Sequence, residues 1–97
     1  VKKLLEKVSL SLKDFDVIES NEAFASQACA VSEELDFDPE IVNPNGGAIA
    51  LGHPIGATGT ILAIKALNEL ERIDGSLGLV TMCIGGGQGI ALAIERS

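Results

Sequence analysis

The chain is predicted to fold as an α/β unit. Three observations predict it: segments of helical period alternate with strand-like runs, an almost unbroken aliphatic run lies near the C-terminus, and glycine clusters interrupt the backbone between them. At 97 residues there is room for one core and not for a second complete domain.

Taken in order, residues 1–9 read as the end of an amphipathic helix through Leu4, Leu5 and Val8, and the natural start is expected to lie upstream. Phe15 to Glu19 (FDVIE) is short, partly β-branched and strand-like. Ser20 and Asn21 are good N-cap types, and Glu22 to Leu35 follows with Phe24, Gln27, Ala28, Val31 and Leu35 at helical spacing. The other side of that segment, Ala23, Ala25, Ser26, Cys29 and Ala30, is small, which predicts a buried central helix approached closely from several sides. Residues 43–59, NPNGGAIALGHPIGATG, hold five glycines and two prolines and are expected to be irregular. A second helix is predicted from about Ala57 to Arg72, with Ile61, Ile64, Leu67 and Leu70 on its apolar side and Lys65, Glu69 and Arg72 on its polar side. Asp74 and Gly75 end it. Leu77 to Ile84 (LGLVTMCI) reads as a strand buried on both faces, Gly85 to Gly89 as a turn, and Ile90 to Glu95 as the returning strand of an antiparallel hairpin.

Composition narrows the function. Hydrophobic residues make up 46 % of the chain, which has no Trp or Tyr and three Phe, so its bulk is Ala, Ile, Leu and Val. That much aliphatic content in so small a body predicts that other protein buries some of it. Fourteen acidic against seven basic residues give a net charge of −7, which argues against a nucleic-acid or anionic-membrane partner. Lys2, Lys3, Lys7 and Lys13 cluster near the start, where a solvated helix face explains them as well as a phosphate patch does. No apolar stretch approaches the roughly 20 residues of a membrane helix and no signal-peptide pattern opens the chain, so a cytoplasmic setting is expected. Two cysteines, in neither a CxxC nor a Cys/His spacing, make a disulfide framework or a metal site unexpected.

Four positions can carry chemistry. His53 is the only histidine and sits between Gly52 and Pro54. An imidazole there can act as base or donor near neutral pH, and it can equally be a surface-loop residue. Cys83 stands where a buried strand meets Gly85, Gly86 and Gly87. A thiol beside exposed N–H groups can serve as acid, base or nucleophile, although a small core hydrophobe is the commoner reading of a free cysteine. Gly85 and its neighbours can aim N–H donors at an oxyanion, or simply permit the turn. Asn21 reads locally as an N-cap, Glu22 as first-turn charge and Cys29 as packing. Neither phosphate-loop spacing is present.

Together, Asn21 to Phe24 (NEAF), Asn45 to Gly59 (NGGAIALGHPIGATG) and Cys83 to Gly89 (CIGGGQG) resemble, in order and spacing, the C-terminal signatures of the thiolase family, over essentially the whole chain. The resemblance implies part of the C-terminal half of a layered α/β/α/β/α fold, with residues 1–97 a partial C-terminal domain and the N-terminal half absent. It implies an acyltransferase of fatty acid metabolism with acetyl-CoA C-acetyltransferase activity, acting by Claisen condensation and thiolysis on acetyl-CoA and acetoacetyl-CoA. Coenzyme A thioesters would be substrates, with no permanently bound cofactor, and the parent protein would be a homo-oligomer.

On the same resemblance, His53 would activate a nucleophilic cysteine and, with a water held by Asn21, form one oxyanion hole. Cys83 would be the acid/base that takes the α-proton, and the Gly85 N–H would serve a second oxyanion hole. Two departures stand out. No segment matches the family's nucleophilic cysteine, which lies in its N-terminal half, so the chain alone is expected to be inactive. Ile61 occupies a place where many relatives carry Arg. Two other readings are a non-catalytic fragment that keeps the half-fold and a degradative 3-ketoacyl-CoA thiolase.

Overall fold

The computed structural model describes residues 1–97. Strand β1 (Val17–Ser20) runs parallel to β2 (Leu77–Ile84), which turns back antiparallel into β3 (Gln88–Glu95), giving the sheet order β1-β2-β3. The predicted hairpin is therefore present, with Gly85 to Gly87 as its turn. The outer side of β1 is occupied by the segment around Val42: Ile18 N–H donates to Ile41 O at 2.8 Å, and Asn43 N–H donates to Ile18 O at 2.8 Å. β3 is the open edge.

Helices lie on both faces. On one, α1 (Lys2–Val8) and α2 (Ala25–Leu35) cover a core of Phe15, Ile18, Phe37 and Leu79, with Leu5, Val31 and Leu35 packed around it. On the other, α4 (Thr58–Ile73) lies over β1 and β2, and Val17, Leu62, Ala66, Leu70 and Val80 form a second core. The alternation of strand side chains explains the split, because Val17 and Val80 point one way and Ile18 and Leu79 the other. No helix is long and apolar enough to cross a membrane.

Four sequence expectations are corrected. α2 begins at Ala25 with Phe24 as an extended N-cap, not at Glu22, because the chain leaving β1 first makes an extended NEAF segment. It is not a buried central helix within this chain: none of its residues is fully buried, and Ala25, Ser26, Cys29 and Ala30 face outward. The apolar side of α4 keeps the predicted Leu70 but is otherwise rotated from the predicted one. Leu62, Ala66 and Leu70, four residues apart, meet the sheet, while Ile61, Ile64 and Leu67 are exposed and Glu69 is buried. The predicted set followed the larger side chains, whereas the small Ala66 allows the close helix-to-sheet approach. Finally, residues 43–59 are not wholly irregular, since they contain a single helical turn, α3 (Ala48–Leu51).

Candidate active site

The site forms at the carboxyl ends of the parallel pair β1 and β2, the end of an α/β sheet at which ligands commonly bind. Asn21 is the first residue beyond β1. Its N–H donates to Thr81 O at 2.9 Å, which continues the ladder by one bond and carries its side chain to the sheet's end. It is 1 % exposed and makes no N-cap, so the capping reading is replaced: its Nδ2 lies 3.5 Å from His53 Nε2. Asn21 Oδ1 is buried and has no partner within the chain.

His53 arrives on the glycine-rich loop, which is anchored at several points. Asn43 clamps the backbone of Ser20, accepting from its N–H at 2.9 Å and donating to its C=O at 2.8 Å. Asn45 Nδ2 donates to Glu69 Oε2 at 2.8 Å. Lys65 Nζ donates to the Gly46 carbonyl and, at 2.8 Å, to Glu19 Oε2. Glu22 Oε1 accepts from Ile49 N–H at 3.1 Å, and its side chain passes so close beneath Gly47 that a Cβ there would sit 2.1 Å from the carboxylate. Glu22 is thus a loop anchor rather than a first-turn charge. The ring of His53 is gripped on its far side, where Nδ1 lies 2.6 Å from Thr58 Oγ1.

Cys83, near the C-terminal end of β2, is partly buried. It shares with Asn21, Gln27, Met82, Gly87 and Gln88 a cavity of about 240 Å³. Asn21 is therefore the residue common to the histidine and the thiol. Gly85 lies on the exposed turn, with no heavy atom within 4 Å of where its Cβ would be. It does not line that cavity, but space around its backbone is open to an approaching group.

Sequence reasoning missed Glu19, Lys65, Thr58 and Gln27. Glu19 is wholly buried, and burial raises its pKa while the Lys65 ammonium opposes the rise. Its second oxygen has no partner, as is true of Gln27 Oε1. At Glu69 the balance is reversed: Arg72, donating through Nε and Nη2, and then Asn45 hold its carboxyl at about 2. A charge inside an otherwise apolar strand (VIES) was the one signal that could have pointed to Glu19, because a buried carboxylate requires a cation nearby.

Fold and site define a class first: an α/β chain that gathers an imidazole, an amide and a thiol at the carboxyl ends of parallel strands. The family model described as "Thiolase, C-terminal domain" matches residues 1–96, and the chain belongs to the thiolase family. It is 63 % identical over 92 residues to the beta-ketothiolase BktB of Cupriavidus necator, covering 95 % of this chain and 23 % of that protein. It is 57 % identical over 94 residues to an acetyl-CoA acetyltransferase of Escherichia coli, covering 97 % of this chain and 24 % of that protein. Human mitochondrial 3-ketoacyl-CoA thiolase, solved in complex with CoA, superposes with a TM-score of 0.96 at 49 % identity, over 99 % of this chain and 24 % of that one. The chain thus spans about a quarter of the length of the relatives it matches.

Proposed function

We propose that this chain supplies the acid/base and oxyanion-hole portion of a thiolase active site, which makes and breaks carbon–carbon bonds between acyl groups carried on coenzyme A. The observation that carries the reading is the position of Asn21, which has His53 Nε2 at 3.5 Å and Cys83 in the same cavity. Condensation of two thioesters requires a base for the α-proton of the acceptor and donors for charge that develops on two thioester oxygens. In this reading Cys83 takes the α-proton. His53, carrying on Nε2 the proton it takes from the nucleophilic cysteine, and a water held by Asn21 face one thioester oxygen, and the Gly85 N–H faces the other. In this reading the nucleophilic cysteine comes from a segment outside residues 1–97, the N-terminal half that the family resemblance implies.

Acetyl-CoA and acetoacetyl-CoA are the proposed substrates. A degradative 3-ketoacyl-CoA thiolase is the second reading, favoured by the higher identity to a beta-ketothiolase, 63 % against 57 % for the acetyltransferase. A homo-oligomeric parent is supported by the aliphatic side chains left uncovered here, among them Ile64 at 52 % and Ile90 at 54 % exposure. Fatty acid metabolism and a cytoplasmic setting complete the proposal.

The test is complementation. The chain is mixed with the N-terminal three-quarters of a thiolase, made separately, and thiolysis of acetoacetyl-CoA is followed. Activity is expected only in the mixture, and His53→Ala or Cys83→Ala in this chain should lower kcat by about 10²- to 10⁴-fold without unfolding it. A folded mixture that binds but never turns over would favour a non-catalytic fragment, and turnover by the chain alone would refute the proposed division of the site.

A further inference from the structure

We infer that Thr58 is a positioning residue that fixes the tautomer of His53, placing the ring proton on Nδ1 and leaving Nε2 as the basic nitrogen. The inference deepens the acyl-transfer reading and rests on it only for its use, since the geometry stands by itself. Thr58 is the first residue of α4 and 3 % exposed. Its Oγ1 has two close neighbours: His53 Nδ1 at 2.6 Å and the carbonyl oxygen of Pro54, four residues back, at 3.0 Å. Bonding to the carbonyl four residues earlier is a habit of threonine in helices, and it sets the side-chain rotamer.

A hydroxyl has one proton, and that count separates the two neutral forms of the ring. With the proton on Nδ1, His53 donates to Oγ1 and Oγ1 donates to Pro54 O, so both short contacts carry a hydrogen. Nε2 then keeps its lone pair, on the side of the ring toward the Asn21 amide. With the proton on Nε2, Oγ1 must turn its hydrogen toward Nδ1. Two oxygen acceptors are then left 3.0 Å apart with no hydrogen between them. The first arrangement satisfies both contacts of Thr58 Oγ1 and the second only one.

The backbone holds this geometry in place. Pro54 O also accepts the N–H groups of Ala57 at 2.8 Å and Thr58 at 2.9 Å, which closes the turn that holds Thr58 against the ring. Free imidazole favours the Nε2–H form, so the site works against the intrinsic preference of the side chain it holds. Nε2, the nitrogen beside Asn21, is thereby kept free to accept a proton.

His53 is the only histidine in the chain, so its ring nitrogens can be assigned without ambiguity. The 97-residue chain, labelled with ¹⁵N at histidine, is recorded by long-range ¹H–¹⁵N correlation in mildly alkaline buffer. The Nδ1–H form should dominate by about three- to tenfold, the ratio that a net hydrogen bond confers. Thr58→Ser, which keeps the hydroxyl, should retain the Nδ1–H pattern, and the nearly isosteric Thr58→Val should shift the ring toward Nε2–H. An Nε2–H form in the unmodified chain, or a Thr58→Val spectrum identical to it, would overturn the inference. If Thr58→Val fails to fold, the unmodified chain and Thr58→Ser decide alone. None of these readouts needs coenzyme A or turnover, so failure of the tautomer leaves the thiolase proposal standing, and a failed complementation leaves the tautomer standing.

Discussion

Two glycine-rich segments bring the candidate chemistry to the sheet's end, and they are held in opposite ways. Residues 43–59 are tied to β1, the NEAF segment and α4 by side-chain hydrogen bonds, with Asn43 on the Ser20 backbone, Glu22 on Ile49, Lys65 on Gly46 and Asn45 on Glu69. The turn Gly85 to Gly87 has open space at every Cβ position, and Gly86 and Gly87 take φ values of 71° and 77°, which suit glycine. The difference follows from what each presents. A histidine is useful only if its ring is aimed, so its loop is built from polar clamps. A backbone N–H is aimed by the strand that precedes it and needs only an unobstructed approach.

The comparison breaks most readily at Lys65. Lys65→Met leaves Glu19 buried without its cation and releases the Gly46 carbonyl, and removing one member of a buried pair costs about 3 kcal/mol. A large drop in the urea midpoint is expected near pH 7. The drop should lessen on acidification, because a carboxyl whose folded pKa is raised loses stability as pH rises and regains it when protonated. Glu19→Gln in the same background should recover part of the loss. An unchanged midpoint would mean that the loop does not depend on this latch.

Gly47→Ala comes next. The methyl group would displace Glu22 and its bond to Ile49 N–H, an effect of about 1–2 kcal/mol that denaturant titration would resolve. The chemical shifts of His53 should move with it.

A smaller effect is expected in acid. The Glu69 carboxyl is held at about 2, against an ordinary 4.5, by Arg72 and Asn45, and the Leu77 and Ser76 N–H groups lower that of Asp16. The stability these two carboxylates contribute is fully present above their ordinary range and is lost as pH falls from about 4.5 toward 2. Glu69→Gln should flatten the urea midpoint across that window, and a profile as steep as that of the unmodified chain would count against the Asn45 clamp.

Gly85→Ala should be the mildest, within about 0.5 kcal/mol of the unmodified chain, because nothing lies where its Cβ would go. A stable Gly85→Ala variant that nonetheless fails to complement activity would sharpen the comparison, since it would show that the open space at the turn serves an incoming group.

Much of this was legible in residue order. The hairpin could be read because Leu77 to Ile84 is a β-rich run that ends in glycines, and the strand before NEAF because FDVIE is short and partly β-branched. The rotation of α4 was not legible. Ile61, Ile64 and Leu67 fit a helical stripe as well as Leu62, Ala66 and Leu70 do, and only the sheet surface, with its small Gly78 and β-branched Val17 and Val80, selects the stripe that can come close. Nor could the extended start of NEAF be foreseen, since Ser20 and Asn21 are both good caps and the choice was made by the bond from Asn21 N–H to Thr81 O, 60 residues away.

The sequence by itself determined the order of elements, the family and the identity of the residues that bear chemistry, because local period, glycine placement and motif spacing are properties of residues near one another in the chain. Only the tertiary structure decided that Asn21 faces His53 rather than a helix N-terminus, that Lys65 neutralises Glu19 46 positions away, and that Thr58 holds the ring of His53 from behind. A hydrogen bond depends on distance and direction between groups, and for groups on different elements both are set by how helices and strands pack.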